Sequence, residues 1–192
     1  GNRHKLKIED GKLNLAMGPA TSLIIVFNND NGNNYFLQAP VEGNNAIHVS
    51  KTWKVQLQRY DGLLENTEMD ALKDLKEIPA YANFAGTIKY HNTFNVKDAH
   101  KVKYLNLGKV YGISLVKING KDAGVQWFGN RIYNIGGLIK EGDNTIEVWV
   151  VTVMLNYMKT LTGNKIAQYW TNEGRKNQPL QSLGMAGPVS IY

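Results

Sequence analysis

The amino-acid sequence predicts an all-β fold, either a β-sandwich or a jelly roll. Apolar and polar residues alternate in many short segments, as they do on a strand that is buried on one side. In TWKVQLQ (52–58), for example, Trp53, Val55 and Leu57 point one way and the polar residues point the other. Turn residues separate these segments, and this arrangement is typical of sandwiches and jelly rolls.

The same alternation predicts the other strands, and two of these regions have distinctive features. Asn119-Gly120 predicts a type I′ hairpin turn, because both residues adopt positive φ with little strain. Residues 144–153 are apolar on both faces, so we expect this strand at the middle of a sheet that is covered on both sides. In chain order, the remaining predicted strands are 12–17, 22–28, 86–96, 101–108, 113–118, 123–128 and 187–192.

One helix and one boundary complete the predicted organisation. Residues 62–75 carry apolar side chains at helical spacing and predict one short helix. The polar, turn-rich segment 28–45 separates the first strands from the rest. We therefore predict a strand pair in residues 1–40, which either ends a preceding β unit or adds to the sandwich. Residues 41–192 are predicted to form the jelly-roll β-sandwich.

The composition is that of a globular protein and argues against two kinds of partner. The chain has 192 residues, of which 43% are hydrophobic and 20% are charged. Its net charge is +6, but the lysines are scattered, so we predict no nucleic-acid partner. The longest apolar run, SLIIVF at 22–27, is far shorter than the roughly 18 residues of a membrane span. We therefore predict no membrane span.

The sequence predicts no cofactor. The absence of cysteine excludes disulfides and cysteine-ligated zinc, and the four histidines have no metal-ligand spacing. The segment NNDNGNN (28–34) has one carboxylate, which is too few for a calcium loop, and it is predicted as a turn. A structural calcium held elsewhere by backbone carbonyls stays open.

No catalytic arrangement can be read from the residues. Glycoside hydrolysis needs two carboxylates at a set separation, and acyl transfer needs a nucleophile with its base. The sequence contains no GxSxG, P-loop or HExxH motif. Near the aromatic-rich segments the only carboxylates are Asp122, Glu147 and Glu173, and we expect these to be solvated.

Two segments mix aromatic and polar side chains, as carbohydrate sites do. They are QWFGNRIYN (126–134) and AQYWTNEGRKNQ (167–178). For Trp127 the sequence favours packing into the sandwich core over sugar binding, whereas for Trp170 the two roles are equally favoured. The candidate carbohydrate-binding residues are Trp127, Asn130, Arg131, Tyr133, Tyr169 and Trp170.

A series of motifs in the second half of the chain resembles a known module. They are Phe84, Gly86 and Thr87; Leu107, Gly108 and Val110; Asn119 and Gly120; Trp127; Gly142 and Asn144; Asn156; and Gly184, Gly187, Pro188 and Val189. In this order they resemble the C-terminal sugar-binding-type β-sandwich of α-L-rhamnosidase-like glycoside hydrolases. That module is a galactose-binding-domain-like jelly roll related to the sandwich of the β-galactosidase family. Two features depart from the pattern: Gly129 and Asn130 replace prolines, and Tyr157 replaces an arginine.

The resemblance implies a non-catalytic, carbohydrate-binding-type or structural module of a secreted glycoside hydrolase that acts on plant or complex polysaccharides. The implied partners are carbohydrate and the catalytic domain of the parent chain, and the implied location is the bacterial periplasm or the extracellular space. The catalytic acids of the family lie in a barrel domain that precedes the module. This hypothesis predicts an apolar surface patch that the neighbouring domain would cover.

Two alternatives stay open. An independent carbohydrate-binding protein would expose Trp127 or Trp170 in a concave site and would have no bare docking face. A complete small hydrolase, the third hypothesis, would require two carboxylates that converge in a pocket.

Overall fold

The computed structural model describes residues 8–15, 24–25, 27, 42–43, 46–49 and 52–192. Within the predicted strand at 12–17 the structure describes residues 12–15, where Lys12 forms an isolated bridge with Glu9 and residues 13–15 are not in a strand, so the prediction is wrong for those residues. The predicted strand at 22–28, the turn at NNDNGNN and the boundary near residue 40 lie wholly or largely outside the described residues. In the part that is described, no helix is long and apolar enough to cross a membrane.

The described chain contains twelve strands and three short α-helices, and the helices lie late in the sequence. The helices are α1 (Leu155–Thr160), α2 (Lys165–Trp170) and α3 (Glu173–Lys176). Two 3₁₀ turns lie at Leu75–Glu77 and Ala99–Lys101. The strands are β1 (Ile47–His48), β2 (Trp53–Arg59), β3 (Leu64–Met69), β4 (Gly86–Val96), β5 (Tyr104–Asn106), β6 (Lys109–Tyr111), β7 (Ile113–Ile118), β8 (Lys121–Gln126), β9 (Ile132–Asn134), β10 (Gly142–Val151), β11 (Gly184–Gly187) and β12 (Ser190–Ile191).

The strands form antiparallel sheets around one hydrophobic core, which confirms the all-β sandwich. The larger sheet has the order β3-β2-β4-β10-β7-β8, and a four-stranded sheet has the order β1-β12-β5-β9. A short pair, β11-β6, adds a third sheet. Side chains from both larger sheets belong to a single buried cluster, to which β2 contributes Leu57, β4 contributes Ile88 and β5 contributes Leu105.

Strand β10 lies at the middle of the six-stranded sheet, as predicted, between β4 and β7. Its inward side chains, Ile146, Val148 and Val150, are fully buried. Its outward side chains are not, because Trp149 is only half-buried and Val151 is exposed. The prediction that both faces are covered is therefore wrong for the described residues. We call the uncovered side the outer sheet face.

The hairpin between β7 and β8 has the predicted turn. Asn119 and Gly120 have φ values of 52° and 77°, as a type I′ turn requires. The Asn119 side chain also donates to the Leu138 carbonyl at 2.9 Å and to the Asn144 carboxamide oxygen at 2.8 Å. Its own carboxamide oxygen accepts from the backbone N–H of Thr145 at 3.0 Å. The turn is thus joined to the start of β10.

The predicted helix at 62–75 is wrong. Residues 64–69 form β3, which pairs with β2 in the register Trp53↔Met69. Leu75 begins a 3₁₀ turn and is fully buried. Of the apolar residues that suggested one helical face, Met69 and Leu75 are buried and Leu72 is half-buried, whereas Leu64 is exposed, because the hairpin and the turn place them differently. Pairing with β2 overrides the helical spacing, as tertiary context often does.

Candidate functional site

Trp127 and Phe128 form an exposed aromatic pair directly after β8. Their side chains are 73% and 57% exposed, and their ring centroids lie 5.6 Å apart. The prediction that Trp127 packs into the sandwich core is therefore wrong. Strand β8 is at the sheet edge, and Tyr133, which is 2% exposed, is the aromatic residue from this segment that enters the core. We call residues 127–130 the aromatic turn.

Arg131 and Tyr133 lie beneath the aromatic turn and are buried. The Arg131 guanidinium donates to the Gly129 carbonyl at 2.9 Å and to the Gly112 carbonyl at 3.0 Å. Burial lowers the pKa of this guanidinium from its usual value. The Tyr133 hydroxyl donates to the Ser114 carbonyl at 2.9 Å. Arg131 holds the turn in place through its bond to Gly129, and burial leaves neither Arg131 nor Tyr133 exposed for direct contact with a sugar.

Asn130 is the one polar candidate of this segment that is exposed. It lies in the aromatic turn next to two exposed rings, so the turn offers an apolar surface with an amide beside it. Such a pairing can accept the C–H face of a sugar ring and bond to a hydroxyl. The structure therefore keeps Trp127 and Asn130 as candidates and adds Phe128, which the sequence analysis did not select.

Tyr169 and Trp170 form a second exposed aromatic pair, at the end of α2. Their side chains are 75% and 53% exposed, and their rings meet edge to face with centroids 5.6 Å apart. Ile166, one turn earlier, is also exposed. Because residues at i, i+3 and i+4 share one side of a helix, these three side chains make an apolar stripe on α2.

The segment that carries this stripe is tied to the sandwich at its base. Asn156 is fully buried, and its amide donates to the carbonyls of Ala82 at 2.9 Å and Gln181 at 2.8 Å. Its carboxamide oxygen accepts from the Gln181 N–H at 2.8 Å. These bonds join the beginning and the end of the excursion between β10 and β11. We call residues 155–181 the helical segment.

The outer sheet face carries an apolar depression of about 520 Å³. Trp149 is one of its lining residues, and the Lys89 and Lys117 ammonium groups lie 4.8 Å and 5.3 Å from the Trp149 ring centroid. Lys89 also pairs with Glu147 at 3.1 Å. The residues that line the depression are Thr87, Ile113, Leu115, Lys117, Val125, Trp149 and Val151.

The exposed apolar surface continues beyond the strand ends. Val153 and Met154, which follow β10, are exposed, as are Val125 of β8 and Ile113 of β7. The register places Val151 opposite Ile113, so these residues lie at one end of the sheet. The aromatic turn follows β8 at this same end. A contiguous apolar area of this kind on a domain surface marks an interaction surface.

Of the three carboxylates near the aromatic segments, two form ion pairs and the third lies at the start of a helix. Asp122 pairs with Lys117 at 3.6 Å, and Glu147 pairs with Lys89. Glu173 lies in the first turn of α3. Among the residues that the structure describes, no group of three His, Asp or Glu side chains is placed to hold a metal ion.

Comparison with known proteins links this fold to glycoside hydrolases. No family model matches the chain. A protein of Formosa agariphila named as a candidate beta-glucuronidase is 30% identical over 117 residues, which cover 57% of this chain and 10% of that protein. The structure of a rhamnosidase from Novosphingobium sp. PP1Y superposes with a TM-score of 0.64 and 24% identity over 81% of this chain and 16% of that one.

A β-glucuronidase from Ruminococcus gnavus, in complex with D-glucuronic acid, has a TM-score of 0.50 and 16% identity over 60% of this chain and 23% of that one. At these identities the structural matches show a shared fold. The chain spans a tenth of the length of the curated relative and less than a quarter of the two enzymes of known structure. It is therefore similar to a part of glycoside hydrolases.

Proposed function

We propose that this chain is a non-catalytic β-sandwich module of a secreted glycoside hydrolase. In this proposal the module packs against the catalytic part of the same enzyme and presents aromatic side chains to a plant or complex polysaccharide. The proposed location is periplasmic or extracellular, as expected for an enzyme that meets polymeric substrates. We also propose that the β-sandwich is of the galactose-binding-domain-like type.

The observation that carries the proposal is the outer sheet face. An antiparallel sheet with one solvated face normally alternates apolar and polar residues. Here the outward positions of β10, β7 and β8 include the incompletely covered apolar residues Trp149, Leu115 and Val125, with Glu147 and Lys117 beside them. Interfaces between domains of one chain are semi-apolar, so a neighbouring domain of the enzyme is the occupant that we propose.

An independent carbohydrate-binding protein is the second candidate, and the exposed aromatic residues favour it. Trp127 and Trp170 both have the exposure that this alternative predicts. It predicts no bare docking face, however, and the outer sheet face argues against it. We therefore prefer the module, with carbohydrate contact as one of its activities.

The non-catalytic part of the proposal is tested by a hydrolysis assay. The chain is incubated with nitrophenyl glycosides that include the α-L-rhamnoside and the β-D-glucuronide. We expect no release of nitrophenol above the buffer rate, because Glu147 and Asp122 are each engaged in an ion pair with a lysine. If hydrolytic activity co-elutes with the folded protein in gel filtration, the chain is itself an enzyme.

The docking face is tested in the chain on its own by dye binding and sedimentation. An uncovered apolar face should bind anilinonaphthalene sulfonate and promote self-association. Val125→Lys and Val151→Lys should reduce both, because each places a charge on the face. Leu63→Lys is the matched control, since Leu63 is equally exposed but lies in the connection between β2 and β3. Equal effects of all three variants would argue against a docking face.

A further inference from the structure

We infer that the helical segment is a binding site for an acidic polysaccharide, such as a chain of uronic acids. This inference rests on the carbohydrate-contacting role proposed above and names the chemical class of the ligand. It depends on the position of the aromatic stripe of α2 and on the charges that surround it. The outer sheet face has no part in it.

The aromatic stripe supplies a surface for the sugar rings. Tyr169 and Trp170 meet edge to face and are 75% and 53% exposed, so both rings present surface to solvent. The rings lie on a helix whose first turn is capped by Asn164, which accepts from the N–H groups of Ile166 and Ala167 at 3.0 Å each. On the opposite side of the helix Ala167 is buried. The stripe is therefore held outward by the packing of its own helix.

The charges around the stripe are mostly positive. The helical segment has four basic residues, Lys159, Lys165, Arg175 and Lys176, and a single carboxylate, Glu173. No ion pair joins these basic groups to any residue in the described part of the chain. Their positive charge is therefore not neutralised locally, and an anionic ligand would gain by approaching them.

Arg175 places one of these charges beside the aromatic pair. Its guanidinium donates to the Trp170 backbone carbonyl at 2.9 Å, which holds the charge at the end of α2. Lys165 begins the same helix and Lys176 ends the next one, and both are exposed. A polymer that stacks on the rings would thus meet positive groups on either side. Repeated carboxylates along a glycan would be attracted to these charges.

The aromatic turn lacks this combination. The one basic side chain within the segment 126–134 is Arg131, and it is buried and directed to two backbone carbonyls. An exposed ring without nearby free charge suits a neutral sugar or an apolar protein surface. The anionic ligand is for this reason assigned to the helical segment and not to the turn.

The test is calorimetric titration of the chain with hexagalacturonate and with a neutral β-1,4-galactohexaose, at low and at high salt. Three or four exposed charge pairs should together give about a tenfold preference for the acidic oligomer at low salt. Most of this preference should disappear at about 0.5 M salt, because screening weakens exposed charge pairs. Polyglutamate serves as an anionic polymer without sugar rings and should bind at least about tenfold more weakly than hexagalacturonate.

Variants separate the two parts of the site. Trp170→Ala should weaken binding of both oligomers, and Tyr169→Ala repeats this test with the more exposed ring. Lys165→Gln and Lys176→Gln should weaken binding of hexagalacturonate alone, since they leave the Arg175 contact intact. Lys121→Gln is the matched control, because Lys121 is exposed at the opposite end of the six-stranded sheet.

The contrary outcomes are distinct. Equal affinity for the neutral and acidic oligomers would overturn the anionic assignment and leave the proposed module unaffected. Equal affinity for polyglutamate would show a general polyanion surface and would also overturn it. Binding that is lost in Trp127→Ala but retained in Trp170→Ala would move the site to the aromatic turn. The absence of any binding would refute the inference, while the hydrolysis and dye assays would still decide the proposed module independently.

Discussion

The aromatic turn and the helical segment have similar sequences but different surroundings. Both contain two adjacent aromatic residues, exposed in the structure, followed within five residues by an arginine. At the turn, Arg131 is buried and holds the backbone from below, whereas in the helical segment Arg175 is exposed and adds charge to the surface. The position of the arginine therefore distinguishes a structural brace from an exposed surface charge.

The largest expected effect concerns the base of the helical segment. Asn156→Ala removes three hydrogen bonds and leaves the Ala82 and Gln181 carbonyls without that donor. We expect the free energy of unfolding to fall by about 3 kcal/mol, because buried polar groups that lose their partners are costly. Urea denaturation measures this loss. Asn177→Ala, at an exposed asparagine of the same segment, should change the stability by less than about 0.5 kcal/mol.

A smaller effect is expected at the brace of the aromatic turn. Arg131→Ala removes the bonds to the Gly129 and Gly112 carbonyls, and we expect a loss of about 2 kcal/mol in the free energy of unfolding. Arg175→Ala should cost less than about 1 kcal/mol, since its side chain is exposed. Urea denaturation of both variants compares the two arginines directly. Equal losses would contradict the distinction between brace and surface charge.

Tyr133 allows the core beneath the turn to be tested by pH. Burial raises the pKa of its phenol above the ordinary value of 10.0. The folded state therefore keeps a proton that the unfolded state releases, so the stability is complete below about pH 10 and falls as the pH rises further. Tyr133→Phe should lower the stability at pH 8 by about 1 kcal/mol through its lost hydrogen bond.

The same variant should also lose stability less steeply between pH 9 and pH 11 than the unmodified chain. Denaturation curves at several pH values measure both slopes. Equal slopes would mean that Tyr133 does not titrate differently in the folded and unfolded states. Tyr90, whose pKa burial raises as well, should preserve part of the dependence in both proteins.

The sequence predicted the strands well where one face is buried. The strands predicted at 86–96 and 113–118 have the same bounds as the observed strands β4 and β7. Local signals, namely alternation and a hairpin turn, are enough to determine these bounds. The helix at 62–75 was wrong, since its spacing also fits a hairpin whose partner strand is set by the fold. The helices at 155–176 were not predicted, because each is short and depends on anchors such as Asn156.

The candidate residues show where sequence reasoning reaches its limit. A run such as Trp127 to Tyr133 identifies a place where aromatic and polar residues meet, and the structure divides that run into exposed and buried members. Which members are buried depends on where β8 ends and β9 begins, and this follows from pairing with other strands. Apolar residues on both faces of β10 were a partial sequence indication of the apolar outer sheet face.

The smallest expected effect is the sharpest test of the aromatic turn. Trp127→Ala should lower the free energy of unfolding by less than about 1 kcal/mol, because the ring is 73% exposed and little packing is lost. If the ring filled the core, the same substitution would cost about 3–5 kcal/mol. Urea denaturation distinguishes these values easily, with Trp53→Ala as the buried control, since that ring is 1% exposed. A large loss for Trp127→Ala would restore the core role predicted from the sequence and would make the turn structural, whereas a small loss would leave the exposed ring available to contact a ligand or a neighbouring domain.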